Sequence, residues 1–132
     1  MCRILLIINR YKNNNIINNI INNFIKQSNN NKYTPKINCL RDHDINMDGY
    51  GFGWYNMSRR NINNGWNIYK SHINYFNDNN NINYLHDKNI IIGHLRAIMN
   101  NNEKPTYNNT HPFIYNNSIW VATSSIKLDI SL

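Results

Sequence analysis

Between Arg3 and Asn9 the chain is almost purely aliphatic, Ile4-Leu5-Leu6-Ile7-Ile8. So short an apolar run, rich in branched residues, predicts a buried strand over residues 3–9. Asn13-Asn14-Asn15 then marks a turn. Ile16, Ile17, Ile20, Ile21, Phe24 and Ile25 follow at i, i+1, i+4, i+5, i+8 and i+9, with Asn and Lys between them, which predicts one amphipathic helix. Residues 28–48 are polar and irregular, and Pro35 interrupts them. From Tyr50 to Tyr55 glycine alternates with aromatic residues, a strand pattern. Gly65 to Ser71, after an Asn-Gly turn, is its expected hairpin partner. A short helix is expected within 72–88. Ile90-Ile91-Ile92 opens a buried strand running through Gly93 to Ala97. After a loop containing Pro105, Phe113 to Val121 has the form of a hairpin around Asn116-Asn117. This mixed order predicts an α+β fold in one domain.

Composition changes this picture little. About a quarter of the chain is Asn, spread among ordered-looking apolar runs, and Ile is next in frequency. Both have AT-rich codons, so coding bias accounts for them better than a prion-like segment. The formal charge is +7, yet the basic residues are scattered and only Arg59-Arg60 are adjacent. A nucleic-acid footprint gathers them on one face, so nucleic acid is not the expected partner. Two cysteines, Cys2 and Cys39, make no disulfide framework. No stretch reaches membrane-spanning length and no signal-peptide core is present, so a cytoplasmic location and no membrane partner are expected.

Four short motifs carry chemistry. Cys2 at the start of a strand is either a small buried residue or, once Met1 is removed, a nucleophile with its own base. The α-amine of a terminal residue has an unperturbed pKa of about 7.7–8.0 and can take the thiol proton. The second motif is Asp48-Gly49-Tyr50-Gly51-Phe52-Gly53-Trp54-Tyr55. Its alternate glycines strip one strand face of side chains, so that a ligand or another chain segment can approach closely. No Lys-Ser/Thr follows, which excludes a phosphate loop, and the spacing excludes a dinucleotide fingerprint. Asp44, Asn46, Asp48 and Gly49 imitate half a calcium loop, but Tyr55 stands where the bidentate Glu is needed. The third motif is Gly93-His94-Leu95-Arg96-Ala97. Arg96 in so apolar a setting needs an anion, either a structural carboxylate or the carboxylate of a substrate. His94 is assigned to the opposite strand face, as a packed core histidine. The fourth is Asn109-Thr110-His111-Pro112-Phe113. None of the five histidines has a standard close ligand spacing, so no metal and no other cofactor is expected.

Taken in order, Met1-Cys2-Arg3, Asp48-Gly49-x-Gly51-x-Gly53-Trp54-Tyr55, His94-x-Arg96-Ala97 and Asn109-x-His111-Pro112-Phe113 resemble the class II glutamine amidotransferases, and most closely the stand-alone γ-glutamyl hydrolase-like subgroup. The resemblance covers residues 1–113. It implies an N-terminal-nucleophile αββα sandwich, of which the chain would hold the first half. It also implies a small-molecule substrate, glutamine or a γ-glutamyl compound, whose side-chain amide is cleaved through a thioester on Cys2. Arg96 would bind the substrate carboxylate, while Gly51, Gly53, His94 and His111 would shape the site. The chain departs from the family after Trp120. A His-Asn-Gly triplet is replaced by Ala122-Thr123-Ser124, and Ser125-Ile126 follow. The family's later acidic residue would lie beyond Leu132. Residues 118–132 contain no Asn and are read as a divergent tail of a truncated domain. Two alternatives accompany the enzyme reading: an inactive remnant acting as a binding module, and a small basic nucleic-acid-binding protein.

Overall fold

The structure, a computed structural model, describes residues 2–11, 13–29, 47–55, 65–79, 82–98 and 103–123. The aliphatic run forms β1 (Arg3–Ile8) and the Ile-rich stretch forms α1 (Asn14–Lys26). Asn13 caps the helix by accepting a hydrogen bond from the Ile16 N–H at 3.2 Å. The glycine-aromatic segment is β2 (Tyr50–Tyr55), paired as a hairpin with β3 (Trp66–Ser71). The second aliphatic run is β4 (Ile90–Leu95), and β5 (Phe113–Tyr115) and β6 (Ser118–Trp120) make the last hairpin. Between β3 and β4 the expected short helix is instead two single 3₁₀ turns, Tyr75–Asn77 and Asn83–Leu85. The chain is thus α+β, with a small antiparallel sheet and one α-helix among the described residues.

Four strands form one sheet in the order β1-β4-β2-β3, with every neighbouring pair antiparallel. The register places Leu5, Gly93, Phe52 and Tyr69 in one row and Ile4, His94, Gly51 and Lys70 in the next. Successive rows face opposite sides of the sheet. α1 covers the Phe52 side. Its Phe24 meets Phe52 edge-on at 6.1 Å, and a Cβ on Gly93 would stand 2.9 Å from both rings. The helix buries Ile17, Ile21, Phe24 and Ile25, but leaves Ile16 and Ile20 exposed. The apolar stripe is wider than the sheet surface that receives it. Tyr50, Leu85, Ile91 and Leu95 complete the core.

Among the described residues the other face is covered only in part. The β5–β6 hairpin and the residues just before it lie across the glycine side of β2. A Cβ on Gly51 would collide with the His111 carbonyl oxygen and Pro112, and one on Gly53 would collide with Ile119. The bare strand face is therefore used by another chain segment. Asn116 and Asn117 turn this hairpin with φ of 46° and 58°, the left-handed conformation that two-residue hairpin turns require and Asn tolerates. No described helix is long and apolar enough to cross a membrane.

Candidate functional site

The β1–β4 ladder ends at Arg3–Leu95, which leaves Cys2 and Arg96 as the next residues of the two strands. The half-buried Cys2 Sγ accepts a hydrogen bond from the Ala97 N–H at 3.5 Å, and the thiol lies 3.7 Å from the Ala97 carbonyl oxygen. On the other side of β4 the Arg96 N–H donates to the Gly49 carbonyl at 2.8 Å, and the Asp48 N–H donates to the Arg96 carbonyl at 3.3 Å. The Asp48 carboxylate accepts from the Ile98 N–H at 2.7 Å. Gly49 has φ of +120°, and a Cβ there would stand 2.7 Å from the Ser71 carbonyl oxygen. Only glycine fits both demands. Cys2, Arg96 and Gly49 thus form one row at one end of the sheet.

The Arg96 side chain is buried and has found an anion within the chain. Its Nη2 lies 2.5 Å from Glu103 Oε1 and its Nη1 donates to Asn109 Oδ1. The Asn109 amide donates in turn to Glu103 at 3.2 Å and to the Lys104 carbonyl at 3.1 Å, while Thr106 N–H donates to Asn109 Oδ1 at 2.8 Å. Of the two partners open to Arg96 from sequence, the structure supplies the intramolecular carboxylate. Glu103 was not singled out by motif, although it is the sole glutamate of the chain and lies seven positions after Arg96.

His94 and Arg96 lie two residues apart at the end of β4 and so share a face. The assignment of His94 to the opposite side is corrected by the two-residue repeat of strand side chains. His94 and His111 are both buried, with ring centroids 4.7 Å apart. Among the described residues, no hydrogen bond of ordinary geometry reaches either ring nitrogen of His94 or Nε2 of His111. Burial holds the His94 pKa down at about 3, with His111 and Arg96 adding to the effect and the Ala122 backbone opposing it. Burial, Arg96 and Lys70 lower His111 to about 4. Lys70 extends over the Tyr107 and Phe113 rings at 4.6 and 4.2 Å, and burial lowers its pKa as well. The pair is therefore neutral near pH 7, and the His111 backbone lies against Gly51 of the glycine strand.

The structure brings Cys2, Arg96 and Asn109 to one end of the sheet, with His94, His111 and Gly51 next along it, whereas Gly53 pairs with Ile92, four residues along β4 from Arg96, and lies under Ile119. Thr123 is exposed, whereas Ser124 to Ile126, Cys39, Asp44 and Asn46 lie outside the described residues. No cluster of three or more His, Cys, Asp or Glu suited to a metal occurs among the described residues. The chain matches no family profile, no curated protein and no solved structure.

Proposed function

We propose that this chain is a glutamine amidotransferase-like amidohydrolase, built on the first part of an N-terminal-nucleophile αββα domain, with Cys2 as its nucleophile and glutamine or a γ-glutamyl compound as substrate. One observation carries the reading: Cys2, Asp48-Gly49 and Arg96-Ala97, far apart in sequence, meet in a single row. In the proposed reaction the α-amine of Cys2 takes the thiol proton and the sulfur attacks the amide carbonyl carbon. As the C–S bond forms, the carbonyl oxygen takes on negative charge. Collapse breaks the C–N bond, and the leaving amine carries away the proton held by the α-ammonium. Water then adds to the thioester, releases the carboxylic acid and restores the thiol. Arg96 receives the substrate carboxylate by exchanging it for that of Glu103, so that the buried guanidinium is never left unpaired. A reducing cytoplasm suits the free thiol of Cys2.

The rival reading, an inactive remnant that binds without turnover, draws support from Glu103 already seated on Arg96 and from Thr123 standing where the family has an oxyanion-hole residue. Intact mass and labelling with an electrophilic glutamine analogue test the nucleophile. The expected result is loss of Met1 and modification of Cys2 alone, suppressed by excess glutamine. Retained Met1, or equal modification of Cys39, refutes the assignment.

A further inference from the structure

The Arg96–Glu103 pair joins a buried cation to an anion that reaches the surface. The Arg96 side chain is 7% exposed and that of Glu103 is 30% exposed. The pairing is also incomplete. Arg96 gives Nη2 to one oxygen of Glu103, Oε1, and Nη1 to Asn109, instead of gripping both oxygens of one carboxylate as a guanidinium fork does best. The Asn109 amide reaches the same Oε1, at 3.2 Å. Among the described residues no donor meets Glu103 Oε2, so this carboxylate keeps an acceptor to spare. Arg96 is fixed by its backbone bond to Gly49, whereas Glu103 stands in the loop before the last hairpin.

A ligand carboxylate arriving on Arg96 creates a conflict. Two carboxylates then stand side by side at one guanidinium, and like charges at that range repel. An α-amino acid removes the conflict, because its ammonium sits on the carbon next to its carboxylate. Inserted into the pair, it gives the carboxylate to Arg96 and the ammonium to Oε2 of Glu103. Every charge then has an opposite neighbour, and the buried guanidinium is not stranded. Asp48, the other carboxylate at this end of the sheet among the described residues, already holds the Ile98 N–H at 2.7 Å. We infer that Glu103 is a specificity-determining residue that accepts the α-ammonium of the substrate, so that the Arg96–Glu103 pair admits α-amino acids and rejects the same molecules without the amine. This role depends on Arg96 receiving the substrate carboxylate, as in the proposed reaction.

Calorimetric titration of the full chain carrying Cys2→Ala separates binding from turnover. L-Glutamine should bind at least about tenfold more tightly than glutaramic acid, the same molecule without its α-amine, as the loss of one charged hydrogen bond predicts. Adding Glu103→Gln should bring the two affinities within about threefold, because the ammonium loses its charged partner, while Glu103→Asp should keep most of the preference. The comparison of the two ligands with Glu103 intact decides the matter even where Glu103→Gln does not fold. Equal affinities there, or a preference that survives Glu103→Gln, would overturn the role of Glu103 while leaving Arg96 as a carboxylate receptor. Binding of neither ligand would instead refute the substrate role of Arg96 and, with it, that of Glu103.

Discussion

The buried pair His94–His111 should make the protein acid-labile well above the range in which carboxylates titrate. In the unfolded chain each histidine takes up a proton near pH 6.5. In the folded chain burial holds them down to about 3 and about 4, so neither ring charges until far lower pH. Between those limits the unfolded state binds more protons than the folded state, and stability must fall as pH falls. The contribution is complete above the unfolded value and is lost progressively from pH 6.5 towards pH 4. At pH 5 the difference is about 2 kcal/mol for each ring, or about 4 kcal/mol for the pair. A domain of this size has a total stability of about 5–15 kcal/mol, so such a loss brings it close to unfolding. Urea unfolding at several pH values between about 7.5 and 5 measures the slope directly, and His111→Gln should remove roughly half of it. The Cε1 proton shifts of His94 and His111 should stay constant over the same interval. A constant unfolding free energy, or a folded-state titration of either ring near 6.5, would refute the reasoning.

Three further outcomes are expected. Asp78 accepts the Tyr50 and Tyr69 hydroxyls at 2.9 and 2.8 Å, and together with burial it holds both phenols above their ordinary pKa. Asp78→Ala should therefore cost about 2–4 kcal/mol in urea unfolding and Asp78→Asn clearly less; equal losses would show that the charge is irrelevant. Gly51→Ala, a change that elsewhere in a strand can be benign, should destabilise by about 1–3 kcal/mol because the new methyl meets His111 and Pro112, with loss of amide protection concentrated in β5 and β6. Glutamate release from glutamine should depend on Cys2 but be slow, because Thr123 and Ser124 stand where the amidotransferases that the sequence resembles have oxyanion donors, and loss of one such donor costs about 10²–10³ in rate; release no greater than that of a Cys2→Ala control would favour the inactive remnant. Robust Cys2-dependent release would show that the oxyanion is held by another route.

The elements were legible because each rests on local periodicity. β2 runs from Tyr50 to Tyr55 as its glycine alternation indicates, and α1 spans its Ile repeat. The paired asparagines announced the last turn. What local pattern does not carry is the choice of partner. Alternating glycines signalled a close approach to β2, but not that Pro112 and Ile119 would make it. The stripe of α1 was read as one face, yet its outer column, Ile16 and Ile20, receives no cover because the width of the sheet is a property of distant strands. The sequence posed the need of Arg96 for an anion, and Glu103 answers it through a loop whose course no periodicity records.

The central place of β4 also bears on how the chain acquires its fold during synthesis. In the four-stranded sheet both β1 and β2 hydrogen-bond to β4, and only the β2–β3 ladder joins strands that are neighbours in sequence. The aliphatic β1 therefore emerges some 80 residues before the strand that shelters it. At a translation rate of about 5–20 residues per second, that leaves a sticky nascent strand waiting for roughly 4–16 s. The Asn-rich α1 is a weak helix former on its own and offers little cover meanwhile. Slow late codons, or a shortage of chaperones that shield nascent apolar segments, should lower the yield of folded protein more than any change at the Cys2 end of the sheet.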